Sequence, residues 1–155
     1  MKTMSTIIAT LMMLFITACH KDEPATPSSA HLEDITITVG GHTYHASLEQ
    51  NSTAEAFRNL LPLTLEMQEL NGNEKYHYLS APLPTNSTKP GTIHAGDLML
   101  YGDRCVVLFY ETFSTSYSYS SIGRITDTGG LKAALGTGST TVQFTANTSR
   151  QHPRQ

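Results

Sequence analysis

Short runs in which apolar and polar residues alternate, separated by glycine turns, constrain this chain more than any other feature. In Ile35–Val39 every second residue is a branched apolar one, and Gly40-Gly41 separates this run from another that begins at His42. Alternation with a period of two is typical of strands with one buried face, and two glycines between such runs indicate a tight hairpin turn. These two runs therefore predict a pair of antiparallel strands.

A second hairpin is predicted where two β-rich runs flank Gly102-Asp103. The first run is Asp97–Tyr101, and the second, at 104–110, is apolar at nearly every position. Residues apolar on both faces indicate a strand that is covered on both sides. We therefore predict a two-residue turn here, followed by the most buried strand. Further extended runs are predicted at 63–68, 76–79, 122–125 and 140–144.

Two short helices interrupt these runs. Ser52 stands three residues before Glu55, which is the spacing of a capping box, and apolar residues at helical spacing predict a helix from Thr53 until Pro62. Residues 131–135 predict one helical turn that ends at Gly136. Because strands and helices do not alternate, the chain favours a mainly β fold, a barrel or a sandwich, over a doubly wound sheet.

The first eighteen residues are interpreted as an export signal. Lys2 precedes an apolar run at 7–16, which is shorter than the roughly 20 residues that a membrane-spanning helix needs. The sequence ITAC at 16–19 resembles the lipobox of bacterial lipoproteins, and this resemblance implies cleavage before Cys19 and lipidation of its thiol. The alternative is an ordinary secretory signal with a chance cysteine.

The remainder divides into a tether, one domain and a tail. Residues 19–33 are polar, contain Pro24, Pro27 and two serines, and show no apolar periodicity, so they predict a flexible tether. Residues 34–146 are predicted to form one domain, and 147–155 a disordered tail. The KDE cluster at 21–23 resembles the export signal of Bacteroidetes surface lipoproteins, although charged linkers are often only solvated. We expect a protein of the cell envelope, lipid-anchored to the outer membrane through Cys19, with surface exposure left open.

Composition excludes several classes of function. Removal of the signal takes away only Lys2, so the formal net charge changes from −3 to −4, and nucleic acid is not an expected partner. Cys105 is then the only thiol outside the anchor, which excludes a cysteine-based zinc site. His42 and His45 would lie on opposite faces of one strand and cannot share an ion there. We expect no metal, no cofactor and a monomer.

Four motifs, in this order, point to a known family. They are LLPL at 60–63, AGDL at 95–98, LYGD at 100–103 and YSYSSIGRI at 117–125. Together they resemble the small bacterial cyclophilin-like domain family over most of 35–145. The resemblance implies a mainly β fold, a closed β-barrel of about eight strands with two short helices.

The resemblance does not carry an enzymatic activity with it. Cyclophilins that isomerise prolyl bonds are recognised by Phe-His-Arg and Gln-Gly-Gly-Asp motifs and by a tryptophan, and the sequence contains none of them. Likeness of fold alone does not supply function. No catalytic role is therefore carried onto Arg58, Arg104 or Arg124, and catalytic residues stay unassigned.

One segment has an unusual composition, rich in aromatic and hydroxyl side chains, between 109 and 121. Tyrosine rings with polar tips, serine hydroxyls and one guanidinium suit recognition of a peptide or a small polar ligand. The candidate ligand-binding residues are Tyr110, Phe113, Tyr117, Tyr119 and Arg124. The alternative is a strand whose tyrosines pack on the barrel while its serines face water.

The sequence thus favours a lipid-anchored binding module without established catalysis. A peptidyl-prolyl isomerase with a diverged active site is the first alternative. A structural role within an envelope complex is the second, and a large exposed apolar patch would distinguish it.

Overall fold

The computed structural model of the chain describes residues 34–147. The predicted signal, Cys19 and the tether lie outside the described residues, and so does the predicted tail beyond Asn147. Between residues 34 and 147, no helix combines the length and the apolar character that a membrane crossing requires.

The described residues form ten strands and two helices. In chain order they are β1 (Ile35–Val39), β2 (His42–Leu48), α1 (Ser52–Asn59), β3 (Leu63–Leu70), β4 (Glu74–Tyr78), β5 (Thr92–Ile93), β6 (Asp97–Tyr101), β7 (Cys105–Phe109), β8 (Phe113–Ser114), β9 (Ser120–Ile125), α2 (Leu131–Leu135) and β10 (Thr140–Ala146). Eight strands close into an antiparallel barrel in the order β1-β10-β3-β4-β7-β6-β9-β2, and β5 pairs with β8 in a separate small sheet. The predicted mainly β fold, a closed eight-stranded barrel with two short helices, is confirmed.

Alternating apolar side chains fill the barrel. Ile35 and Ile37 of β1 are buried beside Phe144 of β10, and Phe57 of α1 packs edge-on against the Phe144 ring with 5.4 Å between centroids. Burial of a large apolar side chain stabilises a fold by about 1.5–3 kcal/mol relative to leaving it exposed. The interior of the barrel is therefore a packed apolar core.

Strands β6 and β7 are covered on both faces, and all five residues of β7 are buried. Their inward side chains, such as Leu98 and Leu108, belong to the barrel core. Their outward side chains form a second cluster, which also contains residues of the small sheet and of the segment after it: Ile93, Met99, Cys105, Val107, Phe109 and Tyr119. The prediction that this hairpin holds the most buried strand agrees with this arrangement, and the outer cluster positions the site described below.

Lys75 of β4 points into the barrel and is fully buried. Its Nζ atom lies 2.5 Å from Oε2 of Glu69 and donates to the carbonyl oxygens of Gly136 and Gly138 at 2.9 and 2.6 Å. The Tyr110 hydroxyl donates to Oε1 of Glu69 at 2.7 Å. An ammonium group has three N–H donors, so this buried charge is fully satisfied.

The predicted N-cap of α1 was wrong. The helix α1 is capped by Asn51, whose Oδ1 accepts from the Ala54 backbone N–H at 2.8 Å, and not by Ser52, which is already helical. Asn51 also donates through Nδ2 to the Ser121 carbonyl oxygen at 2.9 Å, so this cap is fixed to β9 by a contact that local sequence does not encode. The helix ends at Asn59, before Pro62.

The turn between β6 and β7 also differs from its prediction. Tyr101 pairs directly with Cys105, so the turn has three residues, Gly102, Asp103 and Arg104, rather than two. The Arg104 carbonyl oxygen accepts from the Leu79 N–H at 2.9 Å, which holds Arg104 in the turn. By contrast, the Gly40-Gly41 turn has two residues, since Val39 pairs with His42, and both glycines have positive φ, as predicted for this hairpin.

Candidate functional site

A cavity of about 490 Å³ opens on the outside of the barrel, between the outer face of β4 and β7 and the segment that includes β8. We call it the tyrosine groove. Its lining consists of aromatic rings, hydroxyl-bearing residues, the β3–β4 turn and two floor residues of β7: Leu70, Asn71, Asn73, Glu74, Tyr76, Tyr78, Tyr101, Cys105, Val107, Phe113, Ser114, Thr115, Ser116, Tyr117 and Tyr119. Its volume lies within the range of about 300–1,000 Å³ that is usual for ligand sites.

The strand register determines which side chains reach the groove. Tyr76 pairs with Val107 and Tyr78 pairs with Cys105, and directly paired residues project from the same face of a sheet. Val107 and Cys105 belong to the outer cluster, so Tyr76, Tyr78 and, two residues earlier, Glu74 share that outer face. The alternating sequence of β4 thus carries groove residues on one side and the buried Lys75 on the other.

Tyrosine rings form the walls. The Tyr101 ring centroid lies 6.1 Å from that of Tyr117 and 5.6 Å from that of Tyr119, and the Tyr76 and Tyr78 centroids are 5.9 Å apart. Tyr78, Tyr101 and Tyr117 are 64%, 44% and 62% exposed. Rings that support each other edge to face while remaining open to solvent offer stacking surfaces to a ligand.

The groove also gathers most of the exposed apolar surface. Within residues 34–147, five large apolar side chains are exposed, and four of them line the groove: Leu70, Tyr78, Tyr101 and Tyr117. The fifth is Leu60 at the end of α1. Exposed apolar residues that are scattered singly need no explanation, whereas their concentration at one cavity indicates a binding surface.

Glu74 carries the only carboxyl group in a lining that contains no lysine, arginine or histidine. Across the described part of the chain, its carboxylate forms neither an ion pair nor a hydrogen bond. Burial, and secondarily the charge of Glu69, raises the pKa of Glu74 above its ordinary value of 4.5. The groove therefore contains one half-buried acid that the protein itself does not neutralise.

Cys105 and Tyr119, two further titratable groups of the groove, are held in their neutral forms. Burial raises the pKa of the Cys105 thiol, and burial also raises the pKa of the Tyr119 hydroxyl. A thiol is a weak nucleophile until it ionises, so Cys105 acts as a packing residue in the floor. Stacking, hydrogen bonding and one negative charge are the chemistry that this lining offers.

No metal cluster emerges in the part of the chain that the structure covers, because no three histidine, cysteine, aspartate or glutamate side chains there are close enough to hold an ion. His42 and His45 are both exposed on β2. His77 forms a hydrogen bond of 2.8 Å between its Nδ1 and the Glu66 carbonyl oxygen, outside the groove lining.

A family model described as the cyclophilin-like family matches residues 37–145, which is most of the barrel and all of the groove. The chain belongs to the cyclophilin-like family. The resemblance that its four motifs carry is thereby confirmed at the level of the family.

One solved structure similar to this cyclophilin-like chain is the solution structure of a hypothetical protein from Archaeoglobus fulgidus. The two chains are 17% identical, the match covers 77% of this chain and 99% of the archaeal one, and the TM-score is 0.50. At this identity the likeness supports the shared fold alone. A comparison with curated protein sequences found no significant match.

Three of the five predicted ligand-binding residues meet in the groove of this cyclophilin-like domain: Phe113, Tyr117 and Tyr119. The ring of Tyr110 lies instead in the barrel core, where its hydroxyl is bound to Glu69. Arg124 is outside the lining, and its Nε donates to Oδ1 of the buried Asp97 at 2.6 Å. Asp97 and Arg124 are paired residues of β6 and β9, so this contact joins two barrel strands.

Several groove residues were not singled out from the sequence: Glu74, Tyr76, Tyr78, Tyr101 and Cys105. A signal was present for three of them, because Glu74, Tyr76 and Tyr78 alternate within one strand and must share a face. Their meeting with Tyr101 and the 113–117 segment depends on the β4-β7-β6 strand order, which is set by long-range pairing.

Proposed function

We propose that this cyclophilin-like domain is a lipid-anchored binding module of the cell envelope that takes a short peptide into the tyrosine groove. The observation that carries this proposal is the collection of four of the five exposed large apolar side chains around one cavity. Keeping such side chains in water is unfavourable, and a bound ligand that covers them recovers about 25 cal/mol for each Å² of apolar surface.

A peptide is favoured as the ligand because five consecutive residues, 113–117, line the groove. Three of them are Ser114, Thr115 and Ser116, which bring three hydroxyl groups to this side of the groove. Tyrosine and serine together are the residue types that bind peptides through stacking and adaptable hydrogen bonds. An extended peptide would place its backbone along 113–117 and its side chains among the rings.

The lipid anchor is supported by the sequence around Cys19. The full chain expressed in a bacterium that processes lipoproteins should fractionate with membranes and incorporate labelled palmitate. The Cys19→Ser variant should be soluble and unlabelled, and labelled Cys19→Ser protein would overturn the anchor assignment.

Binding is tested with an array of random N-acetylated octapeptides probed with the full chain. We expect the chain to retain a subset of peptides, and the variant with both Tyr101→Ala and Tyr117→Ala to lose at least about 10-fold in affinity for them, which corresponds to about 1.4 kcal/mol. Both side chains are exposed, so their truncation should leave the fold intact.

The matched control for this experiment is His42→Ala, an exposed residue of β2 outside the groove lining, which should bind like the parent chain. Absence of retained peptides above background would overturn the proposal. Equal binding by the double tyrosine variant and the parent would show that peptides bind elsewhere.

A further inference from the structure

Glu74 lines the tyrosine groove, although a surface that only stacks on a ligand needs no carboxylate. Its neighbour on the inner face, Lys75, is neutralised by Glu69, so the nearest lysine in sequence is not available to it. In the described part of the chain no other cation lies within ion-pair distance of its carboxylate. A half-buried carboxylate has lost part of its hydration, so a cation that pairs with it is favoured.

The rings around Glu74 independently favour a positively charged ligand group. Tyr76 and Tyr78 follow it on the same face of β4, and Tyr101 and Tyr117 stand across the groove. The face of an aromatic ring attracts cations, by about 0.5–2 kcal/mol according to how far the cation is desolvated. A carboxylate and several ring faces in one cavity, with no positive charge in the lining, favour a positively charged group.

We propose that Glu74 selects a basic side chain, arginine or lysine, within the bound peptide. This inference rests on the peptide-binding function proposed above and names the part of the peptide that the groove distinguishes. The basic head group pairs with the Glu74 carboxylate, and its alkyl stem or guanidinium plane lies against the tyrosine rings.

Arginine should bind more tightly than lysine. Its planar guanidinium accommodates two parallel N–H···O bonds to a carboxylate and stacks on an aromatic face, whereas an ammonium is a strongly hydrated point charge. An anionic ligand group is disfavoured, because it would meet Glu74 with no compensating cation in the lining.

The experiment uses fluorescent N-acetylated, C-amidated pentapeptide mixtures with one fixed central residue and equimolar mixtures at the other positions. The central residue is arginine, lysine, citrulline or glutamate, where citrulline keeps the shape of arginine without its charge. Binding to the full chain is measured by fluorescence anisotropy. We expect the arginine mixture to bind at least about 10-fold more tightly than the citrulline mixture, with lysine intermediate and glutamate weakest.

The Glu74→Gln variant isolates the charge. It should bind the citrulline mixture as the parent does, while its preference for arginine falls to within about two-fold. The control is Glu55→Gln, which removes an exposed carboxylate from α1 and should leave the preference unchanged. Folding of each variant is checked by its urea unfolding midpoint.

The outcomes separate the two proposals. If all four mixtures bind the parent equally and the double tyrosine variant binds none, the peptide site stands and the role of Glu74 is wrong. If no mixture binds the parent, both proposals fail. If spermidine alone displaces the arginine mixture at equal concentration, the occupant is a small polyamine, and the choice of a peptide side chain is wrong.

Discussion

Glu74 and Lys75 are adjacent in the chain, yet their side chains lie on opposite faces of β4, and only Lys75 has an ion-pair partner. Lys75 is fully buried in the barrel beside Glu69, whereas Glu74 lines the tyrosine groove with no partner in the described residues. The pleat of one strand thus separates a charge that stabilises the fold from a charge that remains available to a ligand.

Replacement of Lys75 by methionine should destabilise the protein by about 3 kcal/mol, because it removes the cation beside Glu69 and the donor to Oε2 of Glu69 and to two carbonyl oxygens. The free energy of unfolding is measured with urea. The control is Lys132→Met, which breaks an exposed pair with Glu111 and should cost less than about 1 kcal/mol. Equal losses in the two variants would contradict the structural role of Lys75.

Glu69 should make stability depend on pH. Burial alone would raise its pKa, but hydrogen bonds from Lys75 and Tyr110 and the Lys75 charge hold the pKa of Glu69 below 4.5. Its contribution is therefore present above pH 4.5 and is lost as the pH falls through the lower, folded-state pKa. The stability difference between the parent and Glu69→Gln should narrow between pH 6 and pH 3.

This comparison is made in a Glu74→Gln background, because the charge of Glu69 also affects the pKa of Glu74. Urea unfolding at each pH gives the difference directly, and other acids cancel in it. A difference that stays constant down to pH 3 would show that Glu69 is not held in its charged form by these contacts.

The N-cap of α1 can be tested by mutation, because the sequence predicted Ser52 and the structure shows Asn51. Asn51→Ala removes the bond to the Ala54 N–H and the bond to the Ser121 carbonyl oxygen, and it should cost about 1–2 kcal/mol. Ser52→Ala changes the residue that the capping-box spacing indicated, and it should stay within about 0.5 kcal/mol of the parent. Thermal or urea unfolding distinguishes them, and a larger loss for Ser52→Ala would favour the sequence-based cap.

The elements that were predictable from sequence are those encoded by local periodicity and turn chemistry. Gly40-Gly41 and the alternating runs beside it specify β1 and β2, and Gly136 ends α2 at the predicted position. The small β5–β8 sheet was not predicted. Each of its strands has two residues, which is too short for a period to be visible.

The candidate site was predictable only in part for a related reason. Phe113, Tyr117 and Tyr119 are close in sequence, so their composition alone drew attention to them. Composition does not indicate which way each side chain points, however, and Tyr110 of the same run faces the barrel core. The remaining walls come from β4 and β6, which only the barrel closure brings beside this segment.

Gly123 of β9 packs so closely against β2 that any larger residue there should clash. A Cβ atom there would lie 2.3 Å from the Ser47 carbonyl oxygen of β2, too close for any atom pair, so Gly123→Ala should cost about 1–3 kcal/mol. Gly138→Ala is the control, because its Cβ would meet no atom within 4 Å. Comparable unfolding midpoints for the two variants would mean that β2 and β9 are farther apart than described.

Ligand selection by Glu74 should itself depend on pH. The raised pKa of Glu74, caused by burial and then by Glu69, means that the carboxylate gains a proton at a higher pH than an ordinary glutamate. Cys105, Tyr110 and Tyr119, the other titratable groups coupled to it, have raised pKa values and stay neutral in acid. Arginine keeps its charge throughout.

The ratio of affinities for the arginine and citrulline pentapeptide mixtures should therefore fall toward one as the pH is lowered from 7.5, and this fall should begin above pH 4.5. The Glu74→Gln variant should give a flat ratio near one over the same range. Fluorescence anisotropy at half-unit pH steps measures both curves. A parent ratio that is high and independent of pH down to 4.5 would assign the selection to the tyrosine rings and not to the carboxylate, because cation–π attraction does not require Glu74 to be ionised.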